Sequence, residues 1–98
     1  MTKRSRRNRP EMTWEYRVVR IVDGTAERFE FREVYREGDA LLGFTASADS
    51  PMGASLTELA DDLGFMQRAL SLPVLDEAGL QAQLAARGRP FADKPLDP

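Results

Sequence analysis

Glu58, Asp61 and Asp62 stand three and four residues apart, so a helix here would carry three carboxylates along one stretch of its surface. Paired carboxylates can hold a hard cation such as Mg²⁺ or exchange protons with a substrate. Acids also gather at helix N-termini because the macrodipole favours negative charge there. With no opposing carboxylate placed by the sequence, helix stabilisation is the expected role. A carboxylate-dependent metal enzyme is the remoter reading.

A second candidate is the small, polar run from Thr45 to Ser55. Amides left free where such a loop enters a helix can bind phosphate or a carboxylate. Asp49 disfavours an anion, and the loop holds neither lysine nor arginine. The expected role is therefore a Gly/Ser/Pro connection, with Thr45, Ser47, Ser50 and Gly53 as the residues to watch for contact with a ligand or partner. Ser47 and Ser50 make poor nucleophiles without a base beside them.

The chain contains no histidine and no cysteine. Disulfides, thiolate metal sites and cysteine nucleophiles are thereby excluded, and the commonest general base and metal ligand is missing. Its only lysines are Lys3 and Lys94, near the two ends. The expectation is a protein that is not an enzyme, with no catalytic residues, no metal and no cofactor.

The formal net charge of −2 hides a division. Lys3, Arg4, Arg6, Arg7 and Arg9 stand among the first ten residues with no acid, leaving nine basic and sixteen acidic residues in the remainder. Such a basic arm buries too little to order itself and can bind nucleic acid by neutralising phosphates. It has no interleaved aromatic to act as a stacking platform, and the plainer reading is a solubilising tail. No apolar h-region follows it and no run of eighteen apolar residues exists, so neither a secretory signal nor a membrane span is expected, and cytoplasmic residence is.

The elements that position these residues are legible. From Trp14 to Val22 the residues alternate as in a strand, with Trp14, Tyr16 and Val18 on one face and Val19 and Ile21 on the other. Asp23-Gly24 offers a turn. A second strand is predicted over 28–36, with Phe29, Phe31 and Tyr35 on one face and a bulge near Glu33. Glu37-Gly38-Asp39 suits a hairpin into a third strand over 40–46, with Leu42, Phe44 and Ala46 sharing a face.

Ser55 and Glu58 then have capping-box spacing, and apolar residues at 56, 59, 60, 63, 66 and 70 form one helical stripe, limited by Pro73. Val74 and Leu75 could add a short fourth strand. Asp76 could cap a weaker second helix with Leu80, Leu84 and Ala85 inward and Gly88 as its stop.

Tyr16-Arg-Val-Val, Glu33-Val-Tyr, Gly43-Phe-Thr, the run Pro51–Leu59 and Pro73-Val-Leu together resemble a family of small, uncharacterised bacterial proteins. The resemblance spans about residues 14–75. More distantly, a strand meander followed by Gly53-x-Ser55-x-x-Glu58-Leu59 is similar to the HicB-type antitoxin domain. That resemblance implies a partial ribonuclease-H-like fold without nuclease activity and a small toxin protein as partner. No ribbon-helix-helix or helix-turn-helix module follows residue 76, so operator binding is not implied.

The expected architecture is α+β: a three-stranded antiparallel meander with one amphipathic helix on one face, and a weaker C-terminal helical segment. Its expected core is Trp14, Tyr16, Val18, Phe29, Phe31, Leu42, Phe44, Leu59, Leu63 and Met66. The domain organisation is a disordered arm over 1–12, a core domain over 13–76, a second helix over 77–88 and a flexible tail over 89–98. Val19, Ile21 and Val34 lie on the opposite sheet face, so that face is expected to be partly covered, by the C-terminal segment or a partner. The leading function is a non-catalytic protein-binding or regulatory module, HicB-antitoxin-like, with a protein partner or a second copy of itself. The alternative is nucleic-acid binding through residues 1–10; no membrane partner is expected.

Overall fold

The computed structural model describes residues 12–87. The fold is α+β, built in the order β1 (Met12–Asp23), β2 (Ala26–Glu37), β3 (Ala40–Phe44), α1 (Leu56–Ala69), β4 (Leu75–Asp76) and α2 (Glu77–Ala86). The sheet has four strands rather than three, in the order β3-β2-β1-β4. β1 to β3 form the antiparallel meander; β4 joins the outer side of β1 in parallel, through Val19↔Leu75 and Arg20↔Asp76. A parallel neighbour needs a crossover, and α1 supplies it. The arm residues Lys3, Arg4, Arg6, Arg7 and Arg9, the expected stop Gly88 and the tail over 89–98 lie outside the described residues.

Two glycines set the meander. Gly24 (φ 67°) and Gly38 (φ 60°) take the left-handed backbone that two-residue hairpin turns require. The bulge expected near Glu33 instead lies in β3: Tyr35 pairs with Gly43 and Arg36 with Leu41, leaving Leu42 as the extra residue. This shift brings Leu41 and Phe44, three apart, to the same sheet face. Phe44 therefore leaves the face assigned to it by simple alternation.

The core is divided by the sheet. On one side Val19, Ile21, Val34, Leu41 and Phe44 pack with Leu80 and Leu84 of α2. On the other, Tyr16 and Val18 pack with Met66 and Ala69 of α1, with Phe31 against them. The C-terminal segment is thus what covers Val19, Ile21 and Val34. Much of the expected core stands in solvent: Trp14 is 48% exposed, Phe29 55%, Leu63 46% and Leu59 37%. The physical reason is placement. α1 lies over β1 and meets the sheet through its C-terminal half, so its leucine stripe turns to one flank instead of downward. In α2, Leu80 and Leu84 are buried, whereas Ala85 is exposed.

Candidate interaction surface

α1 starts where the sequence marks it. Ser55 Oγ accepts from the Glu58 amide at 3.1 Å. The reciprocal bond goes one residue further back than a capping box has it: Glu58 Oε1 accepts from the Ala54 amide at 2.9 Å. Gly53 makes that approach feasible, since a Cβ there would lie 2.7 Å from the Glu58 carbonyl carbon and nearer still to the Leu59 amide nitrogen.

The three acids of α1 do not converge on a common point. Glu58 is held in the cap. Asp62 accepts from the Tyr16 hydroxyl at 2.8 Å and from the Met52 amide at 3.0 Å, pinning the helix to β1 and to the preceding loop. Asp61 is exposed. Burial, and then this bond to Asp62, pushes the Tyr16 hydroxyl well above the ordinary phenol range. Among the described residues no three His, Cys, Asp or Glu side chains are grouped as a metal site.

The loop after β3 continues the sheet by other means. The Thr45 amide donates to the Glu33 carbonyl at 3.0 Å, and the Asp49 amide to the Phe31 carbonyl at 2.8 Å. Thr45 Oγ1 and Asp49 Oδ2 both accept from the Glu33 amide at 2.9 Å, and the Thr45 hydroxyl donates to Asp49 Oδ2 at 2.7 Å. Thr45 is buried and used in this network, Ser47, Ser50 and Gly53 are exposed, and the four form no single cluster of ligand-facing groups. Sequence spacing carried no sign that Asp49 stands in for a missing strand residue.

On the α2 side the sheet holds charge. Arg32, 2% exposed, donates to Glu30 Oε1 through Nε at 3.0 Å and Nη2 at 2.7 Å, and to the Thr45 carbonyl through Nη1 at 2.8 Å. Glu77 of α2 approaches the same guanidinium at 3.5 Å. Hydrogen bonds from Arg28 first, then Arg32, hold the Glu30 carboxyl below the usual carboxylate range. An open groove of about 410 Å³ near the start of α2 is lined by Arg20, Val22, Asp76, Glu77 and Gln81. Arg20, the one cation among the described residues that line it, is already engaged by Glu27 at 2.5 Å and Asp76 at 3.0 Å. A ligand anion would compete with these two carboxylates for Arg20.

What remains is apolar surface. Leu56 is 83% exposed, Leu59 37%, Leu63 46% and Leu70 67%. At 100° per residue these four fall within about 60° of helix circumference, a continuous row on one flank of α1. Phe65, 50% exposed, lies on the opposite flank beneath the Arg68 guanidinium, which stands 4.6 Å from its ring centre. Contiguous exposed apolar surface of this kind marks sites of contact with proteins, membranes or ligands. No helix among the described residues is long and apolar enough to cross a membrane. Comparison with protein-family models, curated proteins and solved structures finds no match for this chain.

Proposed function

We propose that this protein is a non-catalytic protein-binding module that meets its partner through the leucine flank of α1. The observation that carries the reading is the exposed row Leu56, Leu59, Leu63 and Leu70 on one flank of α1. The engagement of Glu58, Asp62, Arg20 and Arg32 with groups of the protein itself supports it, since these are the charges a reaction would draw on. The likeness of Gly53–Leu59 to the start of the HicB-type antitoxin helix points to the same class of role.

The test is a photo-crosslinking amino acid in place of Leu63, activated in cells that express the full chain. A polypeptide adduct that persists after nuclease treatment is the expected result. No adduct at 63, with adducts formed from an equivalent probe at Phe65, would overturn the reading. The second reading, nucleic-acid contact through Lys3, Arg4, Arg6, Arg7 and Arg9, rests on five cations without an acid in the first ten residues. It calls for binding that weakens steeply with salt and vanishes when residues 1–10 are deleted.

A further inference from the structure

We infer that the partner on the leucine flank is a second copy of this chain, with α1 packed antiparallel on α1 about a two-fold axis at Leu63. The inference rests on the protein-binding reading above and names its partner.

Spacing makes the row self-complementary. Leu56, Leu63 and Leu70 are seven residues apart and so share one seam along the helix, about 21 Å long. The set is symmetric about its middle member. A dyad through Leu63 sets Leu63 against Leu63 of the second copy and Leu56 against its Leu70, the residue-for-residue reciprocity that an isologous interface requires. Under the same operation Leu59 falls opposite Gln67, while Met66, the register partner of Ala60, stays buried in its own copy against Tyr16 and Val18, so the matched contacts are those of Leu56, Leu63 and Leu70.

Charge favours self-association over a charged partner. On a helical projection, the sector within about 80° of the row's midline holds, besides the leucines of α1 and its C-cap, only Ala60, Met66 and Gln67. Glu58, Asp61, Asp62 and Arg68 all fall outside it. The domain around the row is acidic, so a cationic partner would be expected to engage those acids. A flank without charge suits an equally uncharged one, and the dyad keeps the acids of the two copies apart. Depletion of charge at the centre is what distinguishes interface cores from ordinary surface.

Area sets the strength. A standard stable interface buries about 800 Å² on each partner. Four partly exposed leucines fall well short of this, and Ala60 and Gln67 add little. The dimer therefore belongs to the weak class, with a dissociation constant on the order of 10 µM.

Sedimentation velocity on the full chain, from about 1 to 500 µM, should show a monomer passing to a dimer. Leu63→Glu, which sets two carboxylates against each other on the axis, should weaken the dimer at least 100-fold with its circular dichroism unchanged. Phe65→Glu on the far flank should leave it intact. Because the protein has no cysteine of its own, a short bismaleimide should link Leu63→Cys to itself, and should link Leu56→Cys to Leu70→Cys in a mixture. A chain that stays monomeric to 500 µM overturns the inference, as does a dimer that Leu63→Glu leaves unchanged. A monomer whose position 63 still crosslinks to a foreign polypeptide overturns it too, while leaving the protein-binding reading in place. A monomer with no adduct at 63 removes both.

Discussion

Arg17 and Arg32 face each other directly across the β1–β2 ladder, both on the α2 side of the sheet and both buried. Like charges at paired positions destabilise a sheet unless each is separately compensated. Arg32 is compensated by Glu30, the Thr45 carbonyl and Glu77. Arg17 donates to the Pro73 carbonyl at 2.6 Å and to Glu15 at 3.3 Å, while its Nε is buried without a partner. The two positions should therefore respond differently. Arg32→Ala strands a partly buried carboxylate and a buried carbonyl and should cost about 3 kcal/mol. Arg17→Met keeps the apolar stem, removes an unpartnered donor, and should cost about 1 kcal/mol or less. Urea unfolding of both variants decides the matter; equal losses would contradict this assignment of partners.

Glu30 ties the same cluster to acid stability. Its carboxyl is held below its unfolded value by Arg28 and Arg32. The contribution is thus complete above the ordinary carboxylate pKa of about 4.3 and is lost as pH falls through the depressed folded value. Glu30→Gln should be less stable than the parent at neutral pH and should converge on it in acid. Melting temperatures between about pH 2 and 7 report this.

Tyr16 gives the complementary alkaline limb. The folded protein holds the phenol proton more tightly than the unfolded chain does. Stability from this group is therefore complete below about pH 10 and is lost as pH rises beyond it. Tyr16→Phe should cost about 1 kcal/mol at neutral pH through the lost bond to Asp62, and should flatten the decline in melting temperature above about pH 10.

Two glycines flanking the same helix start and interior should have opposite effects. A Cβ at Gly53 runs into the backbone of Glu58 and Leu59, so Gly53→Ala should destabilise by about 1–3 kcal/mol. Gly64 lies within α1, and a Cβ added there would meet no atom within 4 Å, so Gly64→Ala should stabilise by about 0.5–1 kcal/mol. Thermal unfolding of the two single variants is sufficient to compare them.

Leucines supply a direct check on which helix holds the fold. Leu84 is fully buried in the cluster with Val19, Val34 and Phe44. Leu84→Ala should cost about 2–5 kcal/mol, whereas Leu56→Ala, 83% exposed, should lie within about 0.5 kcal/mol of the parent in dilute solution. The reverse order would place the principal core under α1.

Local chemistry was legible in the sequence, and tertiary placement was less so. Asp23-Gly24 and Gly38-Asp39 mark their turns because positive φ demands particular residues, and Ser55 marks the helix start because an amide there needs an acceptor. The α+β class followed from period-two runs preceding a period-3.6 stripe. What the periodicity could not say was which apolar face is buried, since an amphipathic stripe looks the same against a sheet or against solvent awaiting another chain. The α1 stripe is the more regular, yet α2 with only Leu80 and Leu84 closes the larger of the two buried clusters. The bulge at Leu42 was hidden for a related reason: one extra residue in β3 reverses the alternation, and only the partner strand reveals it. The burial of Arg32 is not legible in the sequence, because alternating Arg and Glu in β2 equally describes a solvated face. Of the candidate contact loop, Thr45 had a role in the sheet that depended on Asp49 folding back onto Glu33.

β1 contributes Tyr16 and Val18 to one half of the core and Val19 and Ile21 to the other. The two halves lie on opposite faces of the sheet, yet neither can release its share of the strand without disturbing the other. Separate clusters would ordinarily permit separate melting; a shared strand makes their losses simultaneous. The single tryptophan, Trp14, sits on the α1 side of this strand, in edge contact with Tyr16. Its fluorescence should therefore follow the loss of the α2-side cluster, to which it does not belong, and should change in the same single transition as the far-ultraviolet circular dichroism.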